Sequence, residues 1–441
     1  KSIKTFMKFR IKCALIALIA LNFFTYSQQF DSQVFKERRD KLASEITDGI
    51  IVMQSAPVYN RNGDVDHDYR QSSDFYYLTG FEEPQSALII DPLSSNPYTL
   101  YVQEKNPMWE VWTGPVTGTA DAVFMYGANE AFDIKDFKNR LEKYIKDGRK
   151  IYYSKADYYI ESLINKAGIK SAAINDRVAE LRLFKSAYEI EQLQRAIDIT
   201  GNALIESMKA CKPGMYEYQL QAVLEYNFRI EGSVRNGFPS IVGSGPNSTT
   251  LHYETNRRMM EDGDMVVMDV GAEYGFYSAD VTRTFPVNGK FTPAQKRIYS
   301  IVLAAQKEAI KFIKPGVGFN QVDSVARAIV KKGLVTLGIM NENDDNYKFF
   351  MHGTSHWLGL DVHDAGSYKS PAKNDRILEP GMVLTVEPGI YIKEGTEGVS
   401  KEYYNIGVRI EDDILVTSDG YVVLSDKAPK EINEIERLMS E

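Results

Sequence analysis

The stretch "EDGDMVVMDVGA", Glu261 to Ala272, has a partner more than a hundred residues on in "LEPGMVLTVEPGI", Leu378 to Ile390. Laid over one another on their apolar runs, the two stretches pair Asp269 with Glu387, an acid closing a β-type run in each. What precedes them also matches. Ser186-Ala187-Tyr188-Glu189 has the serine and glutamate of a capping box and opens a helical pattern to about Ala210, followed by the turn Lys212-Pro213-Gly214 and a second helix to Glu231-Gly232. Thr292-Pro293, an N-cap and a first helical residue, opens a second long helix to the turn Lys314-Pro315-Gly316, with another helix from Gln321. A period of roughly 100 residues is too long for a solenoid. It predicts two αα-plus-hairpin halves packed about a pseudo-twofold axis, an α+β domain in which equivalent acids meet near that axis.

Working outward from the repeat, residues 28 to about 178 read as a separate α/β domain. Apolar runs at Gly49–Met53, Ser86–Ile90 and Thr99–Val102 have strand character, and Asp133 to Ile145 has a helical period. A chain of 441 residues with 44% hydrophobic and 25% charged residues is ordinary globular composition with room for two cores. Its formal charge of −8 disfavours nucleic acid and anionic membrane surfaces as partners. Residues 1–27 read as a secretory signal peptide. Lys1, Lys4, Lys8, Arg10 and Lys12 precede an apolar run from Cys13 to Phe24, shorter than the roughly 20 residues of a spanning helix, with cleavage expected near Ser27. The expectation is a secreted or periplasmic protein with no stable membrane insertion after cleavage. Cys211 is then the single remaining cysteine and forms no intrachain disulfide.

Within the repeat domain, residues 179–441, four acids sit inside or at the end of β-type runs: Asp269, Asp280, Glu387 and Glu411. Any one of them has a plain alternative, a place on the solvent face of a hairpin. Facing inward together they carry an energetic requirement. A buried unpaired carboxylate costs several kcal/mol, and four near one another take up protons unless cations join them. Two divalent ions supply the matching charge. The chain has 5 histidines, and "MHGTSHWLGLDVHD", Met351 to Asp364, holds three of them. His356 offers the nitrogen ligand, with His352 and His363 as donors at the rim. A zincin helix needs glutamate directly after the first histidine of the pair, where this chain has Gly353. Four carboxylates and one imidazole suit Mn²⁺ first, with Co²⁺, Fe²⁺ and Zn²⁺ as alternatives.

With "HGTSHWLGLDVHD" and "VEPGIY", this acid and histidine set resembles the dinuclear metallopeptidases of the pita-bread fold, the group of methionine aminopeptidase, prolidase and aminopeptidase P. "YRQSSDFYYLTGFEEP", "IVGSG", "DVTRTFPVNGKFTPAQ", "LEPGMVLTVEPGIYI" and "EINEIERLM" resemble the Xaa-Pro aminopeptidase branch, and the likeness covers essentially all of the chain after the signal. The resemblance implies a pita-bread catalytic domain behind an N-terminal α/β domain, acting on peptides with proline in second position through a hydroxide activated by two metal ions. Asp280 and Glu411 would bridge the ions, Asp269 would hold one, and His356 with Glu387 the other. Glu387 would also act as general base. His252 and His363 would donate to the substrate carbonyl or the tetrahedral intermediate, His352 would orient the substrate, and Arg409 would reach the acids or a substrate carboxylate. Trp112, Tyr391 and Asp64 would contact substrate, Trp112 and Asp64 as covering residues from a homo-oligomer, a dimer or tetramer. Phe238 stands where bacterial cytosolic relatives can have tyrosine, which removes a hydroxyl near the metals. Two other readings stay open: prolidase, which shares the metal set and cleaves dipeptides, and a non-catalytic peptide-binding protein on the same fold.

Overall fold

The structure is a computed structural model and describes residues 32–370 and 372–441. The expected signal segment, 1–27, lies outside the described residues. Contacts divide the chain into two compact units, Lys1–Asn175 and Asp176–Glu441. Among the described residues no helix is long and apolar enough to cross a membrane.

The N-terminal unit is built on one mixed six-stranded sheet. Its strands are β1 (Gly49–Gln54), β2 (Ala87–Ile90), β3 (Tyr98–Val102), β4 (Glu130–Asp133), β5 (Lys150–Tyr153) and β6 (Ser171–Ala173), in the spatial order β4-β3-β2-β1-β5-β6. β1 pairs antiparallel with β2 and parallel with β5, and its Ile50, Ile51, Val52 and Met53 are all buried. A strand buried on both faces needs a continuous apolar run, which is what the sequence has there. Ile50 and Val52 join Ala87, Ile89 and Tyr101 in a cluster closed by Phe137 and Leu141 of α3 (Phe137–Lys146). Helix α1 (Ser32–Ser44) precedes the sheet. Helix α2 (Pro107–Thr113), capped by Asn106, buries none of its residues.

Helix α4 (Asn175–Leu183), all but its first residue in the C-terminal unit, leads into the two repeats. The first half has α5 (Ala187–Ala210), α6 (Glu217–Ile230) and the sheet β7 (Ile241–Ser244), β8 (Met265–Val270) and β11 (Val281–Pro286), with the hairpin β9 (Ala272–Tyr274) and β10 (Tyr277–Ser278) between the last two sheet strands. The second half has α7 (Pro293–Phe312), α8 (Phe319–Thr336) and the sheet β12 (Val383–Val386), β15 (Asp412–Val416) and β16 (Tyr421–Val423), with the hairpin β13 (Gly389–Ile392) and β14 (Ile406–Arg409) again set between paired strands. Both halves therefore share a pair of helices and a strand, hairpin, strand unit, with β7 added before that unit in the first half and β16 after it in the second. One apolar core spans them, from Ile199 and Leu204 of α5 to Ile298 and Val302 of α7 and Val386 and Ile414 of the second sheet. Each such aliphatic side chain contributes about 1.5–3 kcal/mol when fully buried.

Both long helices start where cap chemistry places them. Ser186 and Thr292 accept from the backbone of Glu189 and Gln295, which reach back to the cap N–H. The last helix of the repeat starts at Phe319 instead of Gln321, because Gln321 is the third helical residue and its Oε1 accepts from Gly318 N at 2.8 Å. Met351–Asp364 is an irregular run of bends, with one isolated bridge from Trp357 to Leu384. Trp357, fully buried, anchors it against Phe319 and Tyr368.

Candidate active site

The repeat sets acids at matching places. Asp269 lies near the end of β8 and Asp280 directly before β11, its antiparallel partner. Glu387 directly follows β12 and Glu411 directly precedes β15, again antiparallel partners. Each half thus delivers two carboxylates from the same end of one strand pair, one before and one after the intervening hairpin. The pairing of Asp269 with Glu387 extends to Asp280 with Glu411.

Ligand atoms of Asp280, His356 and Glu411, all buried, lie within 4.8 Å of one another. His356 Nε2 is 3.2 Å from Asp280 Oδ2 and 3.6 Å from Glu387 Oε1. The other ring nitrogen fixes the tautomer. His356 Nδ1 faces the Trp357 carbonyl at 3.1 Å, and a carbonyl only accepts, so the ring proton belongs there. Nε2 then turns a lone pair toward two carboxylates. Asp269 Oδ1 and Asp280 Oδ1 are buried without a hydrogen-bond partner among the described residues. Burial first, then Asp269, Asp413 and Glu387 beside it, push Asp280 well above the ordinary carboxylate range. Burial and Asp280 raise Glu411 likewise, and burial raises Glu387 to about 7 against the pull of His356 and Arg409. Orphaned oxygens, an inward lone pair and mutually repelling acids are the donor chemistry of a site for divalent cations.

Around this set the polar contacts are fixed. Thr282 Oγ1 donates to Glu411 Oε2 at 2.6 Å and accepts from Arg409 Nε at 3.3 Å. Arg409 Nη2 pairs with Asp269 Oδ2 at 2.6 Å, which places that arginine among the acids. Its Nη1 donates to Tyr391 Oη at 2.7 Å, and Tyr391 Oη is 2.7 Å from His352 Nε2. His352 Nδ1 faces the Gly353 carbonyl at 2.8 Å, so the tyrosine hydroxyl is the donor to Nε2. Burial, then Arg409, lowers the His352 pKa to about 3. Asp280 N donates to Asp413 Oδ2 at 3.2 Å.

These groups open on a cleft of about 720 Å³ whose walls include Asp269, Asp280, Glu387, Glu411, His252, His352, His356, His363 and Arg409. Phe238, Pro239, Ile241, Leu251, Phe319 and Val362 supply its apolar wall. The His363 ring lies tilted against that of His356 with centroids 4.0 Å apart, and withdrawal from solvent, then the imidazoles of His356 and His252, lower its pKa to about 4. Tyr391 sits behind His352 and Arg409, 2% exposed, as a support for cleft residues. Trp112 and Asp64 belong to the N-terminal unit. Trp112 is 82% exposed on α2, and Asp64 is exposed in the turn between the short strands Asn60–Asn62 and Val65–Asp66. The cleft wall is drawn from the C-terminal unit.

Thr282 and Asp413 escaped the reading of the sequence. The signal was the strand period: each stands two residues after a candidate ligand, Asp280 or Glu411, and so shares its face.

A family model described as "Metallopeptidase family M24" matches residues 191–418, more than half of the chain. The chain belongs to metallopeptidase family M24. A second model, "Aminopeptidase P, N-terminal domain", matches residues 35–152. The Xaa-Pro aminopeptidase of Escherichia coli is 39% identical over 93% of this chain and 98% of its own length. The solved structure of Pseudomonas aeruginosa aminopeptidase PepP is 39% identical, with a TM-score of 0.89 over 93% of this chain and 98% of that one. Aminopeptidase P from E. coli with the inhibitor Pro-Leu is 37% identical, with a TM-score of 0.88 over 94% and 99%. The pita-bread fold with its N-terminal domain, expected from the sequence motifs, is the fold these comparisons give.

Proposed function

We infer that this chain is a metal-dependent Xaa-Pro aminopeptidase that releases the first residue of peptides with proline in second position. The observation that carries this is the convergence of Asp269, Asp280, His356, Glu387 and Glu411 on one cleft with an apolar wall, in a chain similar over nearly its full length to Xaa-Pro aminopeptidases. A structure similar to this one binds Pro-Leu, a proline with a residue after it. That favours peptides longer than the dipeptides of prolidase, and five ligand-type side chains facing one cleft argue against a merely binding protein.

We assign Asp269, Asp280, His356, Glu387 and Glu411 as the residues that would hold two divalent ions, Asp280 and Glu411 shared between them, Asp269 serving one and His356 with Glu387 the other. Divalent ions bound there, Mn²⁺ first among Mn²⁺, Co²⁺, Fe²⁺ and Zn²⁺, supply positive charge that keeps the acids ionised and makes water acidic at neutral pH. Glu387 takes the proton of the attacking water and hands it on to the leaving nitrogen. His252 and His363 donate to the carbonyl oxygen as it gains charge, the contribution expected of oriented donors in a water-poor cleft. His352, held by Tyr391 and the Gly353 carbonyl, orients the peptide. Proline's nitrogen has no hydrogen and its ring fixes φ, so recognition beyond the scissile bond falls to apolar shape, which the cleft wall offers. Trp112 and Asp64 are proposed as further substrate-side residues, in a homo-oligomer, on the strength of their exposure.

The test is release of phenylalanine from Phe-Pro-Ala and from Phe-Pro by metal-loaded protein. Faster cleavage of the tripeptide, loss on chelation and recovery with Mn²⁺ are expected; a clear preference for the dipeptide assigns the chain to prolidase. We also propose export, supported by the basic-then-apolar start, and expect N-terminal sequencing of protein from its natural host to begin near Gln28. An intact terminus on cytoplasmic protein rejects that.

A further inference from the structure

His363 lines the cleft, yet its ring makes no side-chain hydrogen bond among the described residues, and the ring beside it is that of His356, 4.0 Å away between centroids. Its direction is therefore set by the backbone on which it is mounted. That backbone, the turn from Trp357 to Asp364, is closed at its base by Asp364 N donating to the Trp357 carbonyl at 2.9 Å and held from β10 by Ser278 N donating to the Gly359 carbonyl at 2.9 Å.

Behind the turn lies an ion cluster that the functional reading does not use. The Asp364 side chain is 1% exposed, Lys185 1% and Arg182 4%. Lys185 Nζ donates to Asp364 Oδ2 at 3.0 Å. Arg182 Nη2 bonds Asp364 Oδ1 and also Asp361 Oδ2, the latter at 2.7 Å. Asp361 N closes the cluster onto Asp364 Oδ1 at 3.3 Å. Two cations from the α4–α5 junction thus grip the turn at Asp361 and at Asp364. The residues between the grips are Val362 and His363, and both line the cleft. The inner side is closely packed, since a Cβ on Gly359 would collide with the Asp364 carboxylate and press against Lys185 Cε.

We propose that Arg182, Lys185 and Asp364, with Asp361, are positioning residues that fix the direction of His363 in the cleft. Buried ions are costly to bring together, and a paired set held without water is rigid because either cation, left alone, is uncompensated. That rigidity is what a donor aimed at a reacting carbonyl needs, since a displacement of about 1 Å costs on the order of a hundredfold in rate. Arg182 serves through one nitrogen, Nη2, whose two N–H groups reach two carboxylates three residues apart; a lysine ammonium, on a shorter stem and without the planar guanidinium, does not hold both in that fixed geometry.

The inference rests on the aminopeptidase reading, and the experiment separates the two. Arg182→Lys keeps the charge and loses the reach and planarity of the guanidinium, while Asp361→Asn, at a side chain 43% exposed, releases the outer grip with little burden on folding. With Phe-Pro-Ala and metal-loaded enzyme, Arg182→Lys should lower kcat about tenfold and Asp361→Asn by a smaller factor, with KM and bound metal unchanged. Hydrogen exchange in residues 357–364 should speed up in both variants. The deciding measurement repeats each substitution in a His363→Ala background, where neither should reduce kcat further, because the group they position is gone. Losses that multiply in that background, metal that leaves with the substitution, or a wild-type kcat in Asp361→Asn overturn the inference while the functional reading stands. If Arg182→Lys fails to fold, Asp361→Asn alone decides by the same criteria. A metal-loaded wild type that leaves the peptide intact overturns both.

Discussion

Glu411 shows what a single side chain does here. Its Oε2 accepts from Thr282 Oγ1 and its N donates to the Thr282 carbonyl at 3.1 Å, so a carboxylate of the second half is held by the first. Glu411→Gln keeps the shape, removes the charge and offers an amide nitrogen where an ion needs an oxygen. We expect bound metal to fall and kcat/KM to drop by several kcal/mol, on the order of a hundredfold or more, measured by metal analysis and peptide release on the same sample. Full activity with full metal rejects the assignment. At this scale the candidate ligands were legible because an acid closing an apolar run is conspicuous, as at Asp269 and Glu387. The tautomer of His356 was not, since it depends on the Trp357 carbonyl and the local bend, and Thr282 was hidden because a threonine in a strand is unremarkable without its neighbour.

At the scale of elements, the helices were read from local chemistry and the loops were not. The capping box at Ser186 is complete: its side chain accepts from Glu189 N, and Glu189 Oε2 accepts from Ser186 N at 3.0 Å. Ser186→Ala should cost about 1 kcal/mol, seen as a lower urea midpoint with an unchanged slope, while Ser186→Gly costs a few tenths. Equal losses in the two variants, or none, remove the cap from the account. The Lys-Pro-Gly turns marked both helix pairs for the same reason, that caps and prolines act within a few residues of chain. The run Met351–Asp364 has no such local cause. Its course is decided by burial of its own Trp357 and by Ser278, Arg182 and Lys185, these three distant in sequence, and the ion cluster could not be assembled from spacing alone.

Over the whole molecule, burial alone would raise the pKa of Asp364, but Arg182 and Lys185 outweigh it and hold the carboxyl below its ordinary range. A depressed folded-state value means stability that is fully present above the unfolded pKa, near 4, and lost as pH falls through the folded one. The difference in unfolding free energy between wild type and Asp364→Asn should therefore be constant from neutral pH to about 5 and shrink below about 4, measured by urea titration across pH. A difference that does not change with pH removes this pair from acid unfolding. The repeat has another consequence at this scale. Asp269 and Asp280 come from one half and His356, Glu387 and Glu411 from the other, so an ion that draws ligands from both is a tie that the unfolded chain lacks. Saturating such a site a hundredfold above its dissociation constant adds about 2.7 kcal/mol to the folded state. Scanning calorimetry should find a melting temperature that climbs with free Mn²⁺ and falls back on chelation, and a melting temperature indifferent to the ion would mean that the halves hold together without it. Where the tie holds, scarcity of metal is first of all a folding problem: protein starved of the ion is shaken apart by heat and cut by proteases, and the amount of enzyme falls along with its rate.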